Sequence, residues 1–203
     1  MIDQNVIVVF GGSFNPPLNS HFSLSEQIIN EYEEVEKIIF VPVNEKYYKQ
    51  DLIENQHRYN MLKKVCNKNE NFLVSDIEIK AERPLYTIET LKQIQNQYSN
   101  HKIWFTIGTD NLKQLSSWEK AEELVFNFKI LVLERDQDSM EEIIKNDKFL
   151  NENKNSFIKV KNNIRSNLSS SFVREKIKRG KSIRYLTPDE IYDYIKENHL
   201  FKK

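Results

Sequence analysis

Residues 6–21 read VIVVFGGSFNPPLNSH, and they give the strongest indication of the fold. An apolar, mostly β-branched run over residues 6–10 stops at Gly11 and Gly12, which predicts a strand buried on both faces and followed by a tight turn. Apolar residues then recur at helical spacing over residues 20–34. A buried strand that leads through a glycine turn into a helix is typical of the first unit of a parallel α/β sheet.

The rest of the chain continues this alternation of strands and helices. Further strands are predicted at 37–42, 71–79, 101–107, 126–133 and 156–160, and further helices at 56–65, 87–98, 169–179 and 187–198. Polar residues 136–155 are interpreted as a surface helix and loop. The pattern predicts an α/β, Rossmann-like doubly wound fold, with a mostly parallel sheet of five or six strands and a C-terminal helical segment. Residues 1–203 are expected to form a single domain.

Composition excludes several classes of protein. The 203 residues are 39% apolar, which argues against a disordered chain, and no apolar run approaches the roughly 18 residues of a membrane helix. Residues 1–5 lack the basic start of a signal peptide, so a cytoplasmic protein is expected. A single Cys66 and four scattered histidines provide neither a disulfide framework nor a zinc-ligand pattern.

Charge is unevenly distributed along the chain. The 30 basic and 30 acidic residues cancel, yet residues 154–184 contain ten basic residues and one acid. This local charge of +9 fits a solvated basic helix face, and it equally fits a site for a phosphate-rich ligand or a nucleic acid. Charge alone leaves these alternatives open.

Ligands of open parallel sheets bind at the carboxyl ends of the strands. The segments predicted at such ends are 11–21, 42–49, 108–118 and 169–174. In the first, a helix N-terminus would offer free N–H groups to a phosphate, and His21 would lie in the first helical turn. An ordinary turn with Ser20 as the helix cap explains the same residues.

Several of these segments resemble one known family. They are GGSFNPPLNSH at 11–21, PVNEKYYK at 42–49 taken together with HRYNM at 57–61, LYTIETL at 85–91, IGTDNL at 107–112 with Trp118, LSSSFVR at 168–174, and the tail over 180–195. Six such motifs in the expected order are similar to the nicotinate and nicotinamide mononucleotide adenylyltransferases, within the nucleotidylyltransferase superfamily. Arg58, in the second helix, fits an ion pair within the fold as well as a phosphate contact.

The resemblance implies adenylyl transfer from ATP to nicotinate or nicotinamide mononucleotide, giving deamido-NAD or NAD plus pyrophosphate. The attack is direct and in line, without a covalent intermediate, and Mg²⁺ arrives on the ATP phosphates without dedicated protein ligands. The implied catalytic residues are His21, Lys49 and Arg174. The implied ATP-binding residues are Gly11, Gly12, Ser13, Phe14, His21, Gly108, Asp110, Ser170, Ser171 and Arg174. The implied mononucleotide-binding residues are Ser13, Phe14, Asn15, Lys49, Thr87 and Trp118.

Three of these residues have simpler interpretations. Asp110 and Thr87 could each cap a helix, and Trp118 could belong to the core.

The C-terminal helical part, about residues 165–203, is expected to complete the ATP site. No nucleic-acid or membrane partner is expected, and a homo-oligomer is compatible with the sequence.

Leu18 departs from the family pattern, which has His or Thr at this position. Leucine cannot donate a hydrogen bond. A degenerate paralogue that binds nucleotide with little or no turnover therefore stays open. A nucleotidylyltransferase for another phosphorylated acceptor, within the same superfamily, is a separate alternative.

Overall fold

A computed structural model describes residues 5–47, 51–161, 166 and 168–202. The described strands are β1 (Val6–Gly12), β2 (Val35–Pro42), β3 (Phe72–Val74), β4 (Lys102–Gly108), β5 (Lys129–Leu133) and β6 (Phe157–Lys159). The helices are α1 (Asn19–Glu31), α2 (Asn55–Cys66), α3 (Ile77–Lys80), α4 (Thr87–Gln97), α5 (Thr109–Leu112), α6 (Ala121–Asn127), α7 (Met140–Asn146), α8 (Lys148–Glu152), α9 (Ser170–Lys178) and α10 (Asp189–Glu197). Short 3₁₀ turns occupy Leu115–Ser117 and Lys154–Ser156.

The six described strands form one sheet in the order β3-β2-β1-β4-β5-β6, and every pair is parallel. Central strand β1 pairs with β2 and with β4, so Val8 lies opposite Ile38 on one side and Trp104 on the other. The chain reverses its direction of winding between β1 and β4, and a crevice opens there at the carboxyl ends of the strands. The predicted α/β, doubly wound fold is confirmed.

Alternating residues of the central strands point to opposite faces of the sheet. Val6, Val8 and Phe10 belong to one apolar cluster, whereas Ile7 and Val9 belong to another. The first cluster is covered by α1, α2, α9 and α10, and the second by α4, α5, α6, α7 and α8. Burial on both faces explains why β1 is a continuous apolar run in the sequence.

Two element predictions are wrong in part. Residues 71–79 contain only the short β3, because the chain then turns into α3. The alternating apolar residues of a stretch this short fit one helical turn as well as a strand. Residues 126–133 begin within α6, where Leu124 and Val125 are buried and Phe126 is 87% exposed on the outer face. An apolar side chain on the outer face of a helix made the strand seem longer than it is.

None of the helices in the described part of the chain combines the length and the apolar character needed to cross a membrane.

Candidate active site

A pocket of about 350 Å³ lies at the carboxyl ends of β1 and β4. Most of the residues predicted for the site line this pocket, namely Gly11, Gly12, Ser13, Phe14, Asn15, His21, Thr87, Asp110, Trp118, Ser170, Ser171 and Arg174. Residues far apart in the sequence therefore meet in one cavity of a size suited to a small ligand. Lys49 lies outside the described residues.

The loop after β1 is held rigidly by its own side chains. Asn15 is 1% exposed, and its amide donates to the Asp51 carbonyl at 2.7 Å while its Oδ1 accepts from the Ile53 N–H at 3.3 Å. Phe14 takes a left-handed backbone conformation, with φ of 45°, and its buried ring lies against Gly12, where a Cβ would approach the ring to 3.1 Å. The loop therefore presents its backbone to the pocket, while the Asn15 side chain anchors the segment after residue 50.

Arg58 also holds the loop after β1 in place. Its side chain is fully buried and donates to the carbonyls of Ser13 and Ile53, each at 3.1 Å, and to Asn55 Oδ1 at 2.6 Å. Burial lowers the pKa of Arg58 to about 10, against the opposing charges of Glu45 and Glu78, so the guanidinium stays charged. The guanidinium is thus engaged within the fold, and its described partners are two carbonyls and an amide oxygen rather than the carboxylate of the ion pair that the sequence suggested.

His21 is the third residue of α1 and lines the pocket. The Leu18 N–H donates to His21 Nδ1 at 3.0 Å, which leaves the ring proton on Nε2. Burial, and secondarily the charge of Arg135, lowers the pKa of His21 to about 3. The ring packs edge-on against Phe14 with 5.1 Å between centroids. At neutral pH His21 is therefore an uncharged hydrogen-bond donor.

Leu18 is 1% exposed and packs in the apolar cluster on the α1 face of the sheet. Its side chain supplies no donor to the pocket, and only its backbone N–H contributes, through His21. Leu18 rather than Ser20 is the N-cap of α1.

The N-terminus of α9 closes one side of the pocket. The Ser169 side chain caps this helix by accepting from the Phe172 N–H at 3.2 Å. Ser170 Oγ donates to the Pro16 carbonyl at 2.8 Å, and Arg174 donates to the Asn15 carbonyl at 2.9 Å and to Ser171 Oγ at 3.2 Å. The C-terminal segment is thus bonded directly to the loop after β1, and it brings a guanidinium and free helix N–H groups to the pocket.

Arg135 is a pocket residue that the sequence analysis missed. It follows β5, and its Nη1 lies 3.5 Å from Asp110 Oδ2 across the pocket mouth. Gly108 does not itself line the pocket, but a Cβ there would collide with the Asp110 carboxylate and lie 3.0 Å from Arg135 Nε. The end of β5 was one of two predicted strand ends left out of the candidate segments, and a charged pair at residues 134–135 directly after an apolar strand was the available signal.

Glu78 is a second residue that was missed, because the predicted strand at 71–79 concealed α3. Its Oε1 accepts a hydrogen bond from Thr90 Oγ1 at 2.8 Å, and both residues line the pocket. Burial raises the pKa of Glu78 to about 7, although the Thr90 hydrogen bond and the charge of Arg58 act in the opposite direction. The pocket therefore contains a carboxyl group that titrates near neutrality.

Thr87 and Trp118 lie on the side of the pocket formed by α4 and the segment after α5. Thr87 is the first residue of α4, whose N-cap is Tyr86. Trp118 is partly buried against the apolar cluster that contains Ile88 and Leu91, yet it also lines the pocket. Asp110 lies within the first turn of α5, and Gly108 rather than Asp110 is its N-cap. Neither Thr87 nor Asp110 is thus used as a helix cap.

The two acidic side chains among the described pocket residues have different partners. Glu78 bonds to Thr90, and Asp110 pairs with Arg135. Across residues 5–47, 51–161, 166 and 168–202 no group of three or more His, Cys, Asp or Glu side chains is placed to hold a metal ion. The donors that the described pocket offers a ligand are mainly cations and N–H groups.

Comparison with known proteins gives consistent matches. The family model described as cytidylyltransferase-like matches residues 9–176. The probable nicotinate-nucleotide adenylyltransferase of Caldicellulosiruptor bescii is 31% identical over 198 residues, which cover 97% of this chain and 99% of that protein. That of Lachnoclostridium phytofermentans is 32% identical over 92% of this chain and 94% of that protein. The solved nicotinic acid mononucleotide adenylyltransferase of Plasmodium falciparum, complexed with NaAD, has a TM-score of 0.78 over 97% of both chains; at 22% identity this similarity shows the shared fold.

Proposed function

Because this chain belongs to the nicotinate-nucleotide adenylyltransferase family, we propose that its pocket transfers the adenylyl group of ATP to nicotinate mononucleotide. The products are deamido-NAD and pyrophosphate. The 5′-phosphate of the mononucleotide attacks the α-phosphorus of ATP, the bond to the β-phosphate oxygen breaks, and the leaving pyrophosphate carries away the negative charge. This chemistry requires alignment of two phosphates and stabilisation of charge rather than a protein nucleophile.

The observation that carries this proposal is the state of His21. It is neutral, with its proton on Nε2, and lines the same pocket as the permanently charged Arg135 and Arg174. A preorganised donor of this kind stabilises developing charge on a phosphate by about 3–4 kcal/mol. Arg135 and Arg174 would neutralise the phosphates, and the N-termini of α1 and α9 would add N–H donors.

Residues on the other side of the pocket would hold the mononucleotide. Trp118 offers an aromatic face to the pyridine ring, and Thr87 offers a hydroxyl and a free helix N–H to the ring substituent. The backbone of Ser13 and Phe14, with Asn15 behind it, would support the acceptor phosphate. Lys49 would reach the phosphates from the loop after β2. Asp110 would accept from ribose hydroxyls.

Mg²⁺ would enter as part of the MgATP substrate. The different partners of the two acids of the described pocket favour this route over a dedicated protein site. We also propose that residues 1–203 act as one domain, in which α9 completes the ATP side of the pocket.

The test is release of pyrophosphate from ATP and Mg²⁺ in the presence of nicotinate mononucleotide. Replacing His21→Ala should lower kcat about 10²–10³-fold, because the donor to the phosphates is lost. His101→Ala is the matched control. His101 lies just before β4, at the amino ends of the strands and thus at the end opposite the pocket, and it pairs with Glu36. This control should leave kcat unchanged.

Two outcomes would contradict the proposal. Nucleotide binding without pyrophosphate release above the His21→Ala level would identify a binding paralogue, as the buried Leu18 allows. Turnover with another phosphorylated acceptor, but not with either pyridine mononucleotide, would identify a different nucleotidylyltransferase.

A further inference from the structure

Among the described pocket residues, Glu78 is the one that titrates near neutrality and has no role in the proposed adenylyl transfer. Its position is fixed twice. The Thr90 hydroxyl donates to its carboxyl at 2.8 Å, and the Asn44 amide donates to its backbone carbonyl at 3.0 Å. A carboxyl group held this firmly at the wall of a ligand pocket is placed to contact the ligand.

The carboxyl lies next to the N-terminus of α4. Thr90 follows Thr87 by three residues, so the two side chains lie on one face of the helix. The Glu78 carboxyl, which accepts a hydrogen bond from Thr90, is therefore adjacent to the face of α4 that carries Thr87. The first N–H groups of a helix have no partner within it, so those at the start of α4 are available beside Thr87.

The two pyridine mononucleotides differ in the substituent at ring position 3. Nicotinate mononucleotide carries a carboxylate, which only accepts hydrogen bonds, whereas the carboxamide of nicotinamide mononucleotide also donates two. A neutral carboxylic acid donates its O–H to the carboxylate. An ionised one repels the carboxylate and accepts an N–H of the carboxamide.

We propose that Glu78 distinguishes these two acceptors: it binds the pyridine carboxylate only as the neutral acid, whereas it binds the carboxamide in either protonation state, because a neutral acid also accepts a hydrogen bond through its carbonyl oxygen. The inference rests on the function proposed above and names the residue that sets its acceptor preference. The acceptor with a carboxylate would bind together with one proton taken from solvent, shared between two carboxyl groups.

Burial places this switch within the working range of the enzyme, because it raises the pKa of Glu78 to about 7. A bound pyridine carboxylate would raise that pKa further by like-charge repulsion. His21, with a pKa of about 3, does not change its charge between pH 5.5 and 8.5.

The charged groups around Glu78 come from each element packed near it. Arg58 of α2 acts on it directly and opposes the rise of its pKa, and Glu45 acts in turn on Arg58. The neighbouring charges on and between α3 and α4 are already paired: Asp76, just before α3, with Lys80, and Arg83, between the two helices, with Glu89. The remaining charged or titratable groups of the described pocket wall are His21, Tyr47, Asp110, Arg135 and Arg174.

The test compares kcat/KM for the two mononucleotides between pH 5.5 and 8.5 with the same MgATP. The kcat/KM for nicotinate mononucleotide divided by that for nicotinamide mononucleotide should stay constant below about pH 6 and fall at least tenfold by pH 8.5. Dividing one kcat/KM by the other cancels ionisations common to both reactions. Glu78→Gln, neutral at every pH, should give a ratio independent of pH. A flat ratio in the wild type, or an unchanged slope in the variant, would overturn the proposal.

A second variant distinguishes recognition of the acceptor by Glu78 from a purely structural role of that residue. Thr90→Val keeps the shape of the side chain but removes the hydrogen bond that lowers the pKa of Glu78. The midpoint of the ratio should therefore move to higher pH. An unmoved midpoint would mean that Glu78 only supports the fold.

Calorimetry on the unmodified protein tests the same idea without turnover. Titration with each mononucleotide at pH 7.5, in two buffers of different ionisation enthalpy, counts the protons taken up on binding. Nicotinate mononucleotide should take up about three quarters of a proton, because about that fraction of Glu78 is ionised at pH 7.5, and nicotinamide mononucleotide should take up none. Equal counts would refute the role of Glu78. If neither acceptor releases pyrophosphate, the proposed function fails, and the proton count still decides the role of Glu78.

Discussion

The basic cluster of the pocket (His21, Arg135 and Arg174) and the Glu78 cluster (Glu78, Thr87 and Thr90) show one physical effect with opposite consequences. Burial lowers the pKa of His21 to about 3 and raises that of Glu78 to about 7, and in both cases it favours the neutral form. Positive charge in the basic cluster therefore comes from guanidinium groups, which do not titrate. The Glu78 cluster is left with a group that changes its charge at neutral pH.

Arg58 joins the two clusters, and its replacement should have the largest effect. The guanidinium donates to the Ser13 carbonyl in the loop under the basic cluster, and its charge opposes the rise of the Glu78 pKa. Arg58→Met should lower the free energy of unfolding by about 3–5 kcal/mol, because buried carbonyls lose their donors. Urea denaturation measures this loss. Arg179→Met, on the surface of α9, is the control and should change stability by less than about 0.5 kcal/mol. Equal effects would show that Arg58 does not brace the loop.

The Glu78 cluster should make stability depend on pH. The folded-state pKa of about 7 lies above the ordinary value of 4.5, so the folded protein binds more protons than the unfolded chain between these values. Stability should then fall as the pH rises from 4.5 to 7, by up to about 3.5 kcal/mol at about 1.4 kcal/mol per pKa unit. Glu78→Gln should remove this decline, measured as urea midpoints from pH 4.5 to 8. A variant that keeps the wild-type decline would place its origin elsewhere.

Loss of one fixed charge from the basic cluster should have a smaller effect. Arg135→Met should lower kcat/KM for ATP about 10–100-fold, since a hydrogen bond to a charged group contributes about 1.5–3 kcal/mol. It should also raise the pKa of His21, because the charge of Arg135 lowers it. Lys113→Met is the matched control, since Lys113 pairs with Asp138 on the surface. If both variants lose activity equally, Arg135 has no special role.

The local sequence predicted the architecture well where burial dictates residue type. The apolar run of β1 and the turn at Gly11 and Gly12 indicated a parallel sheet, and the described strands confirm it. Prediction failed at α3 and at the end of α6, where a few apolar residues fit either a strand or a helix. The side on which Phe126 points is decided by the neighbours of α6, and a local pattern does not contain them.

The site divides in the same way. Local motifs placed His21, Thr87, Asp110 and Arg174 at strand ends or helix starts, and the pocket brings these residues together. Arg135 and Glu78 belong to no motif and were found only from their positions in the fold.

The order of strands and helices, the family resemblance and the chemical types available for binding phosphate all follow from local sequence. The charges that those groups carry are set by the fold. The neutral state of His21 depends on the Leu18 N–H, two phenyl rings and Arg135, and the protonation of Glu78 depends on burial, Thr90 and Arg58. Desolvation and Coulomb interactions act through space, so the ionisation of a side chain is set by residues far from it in the chain.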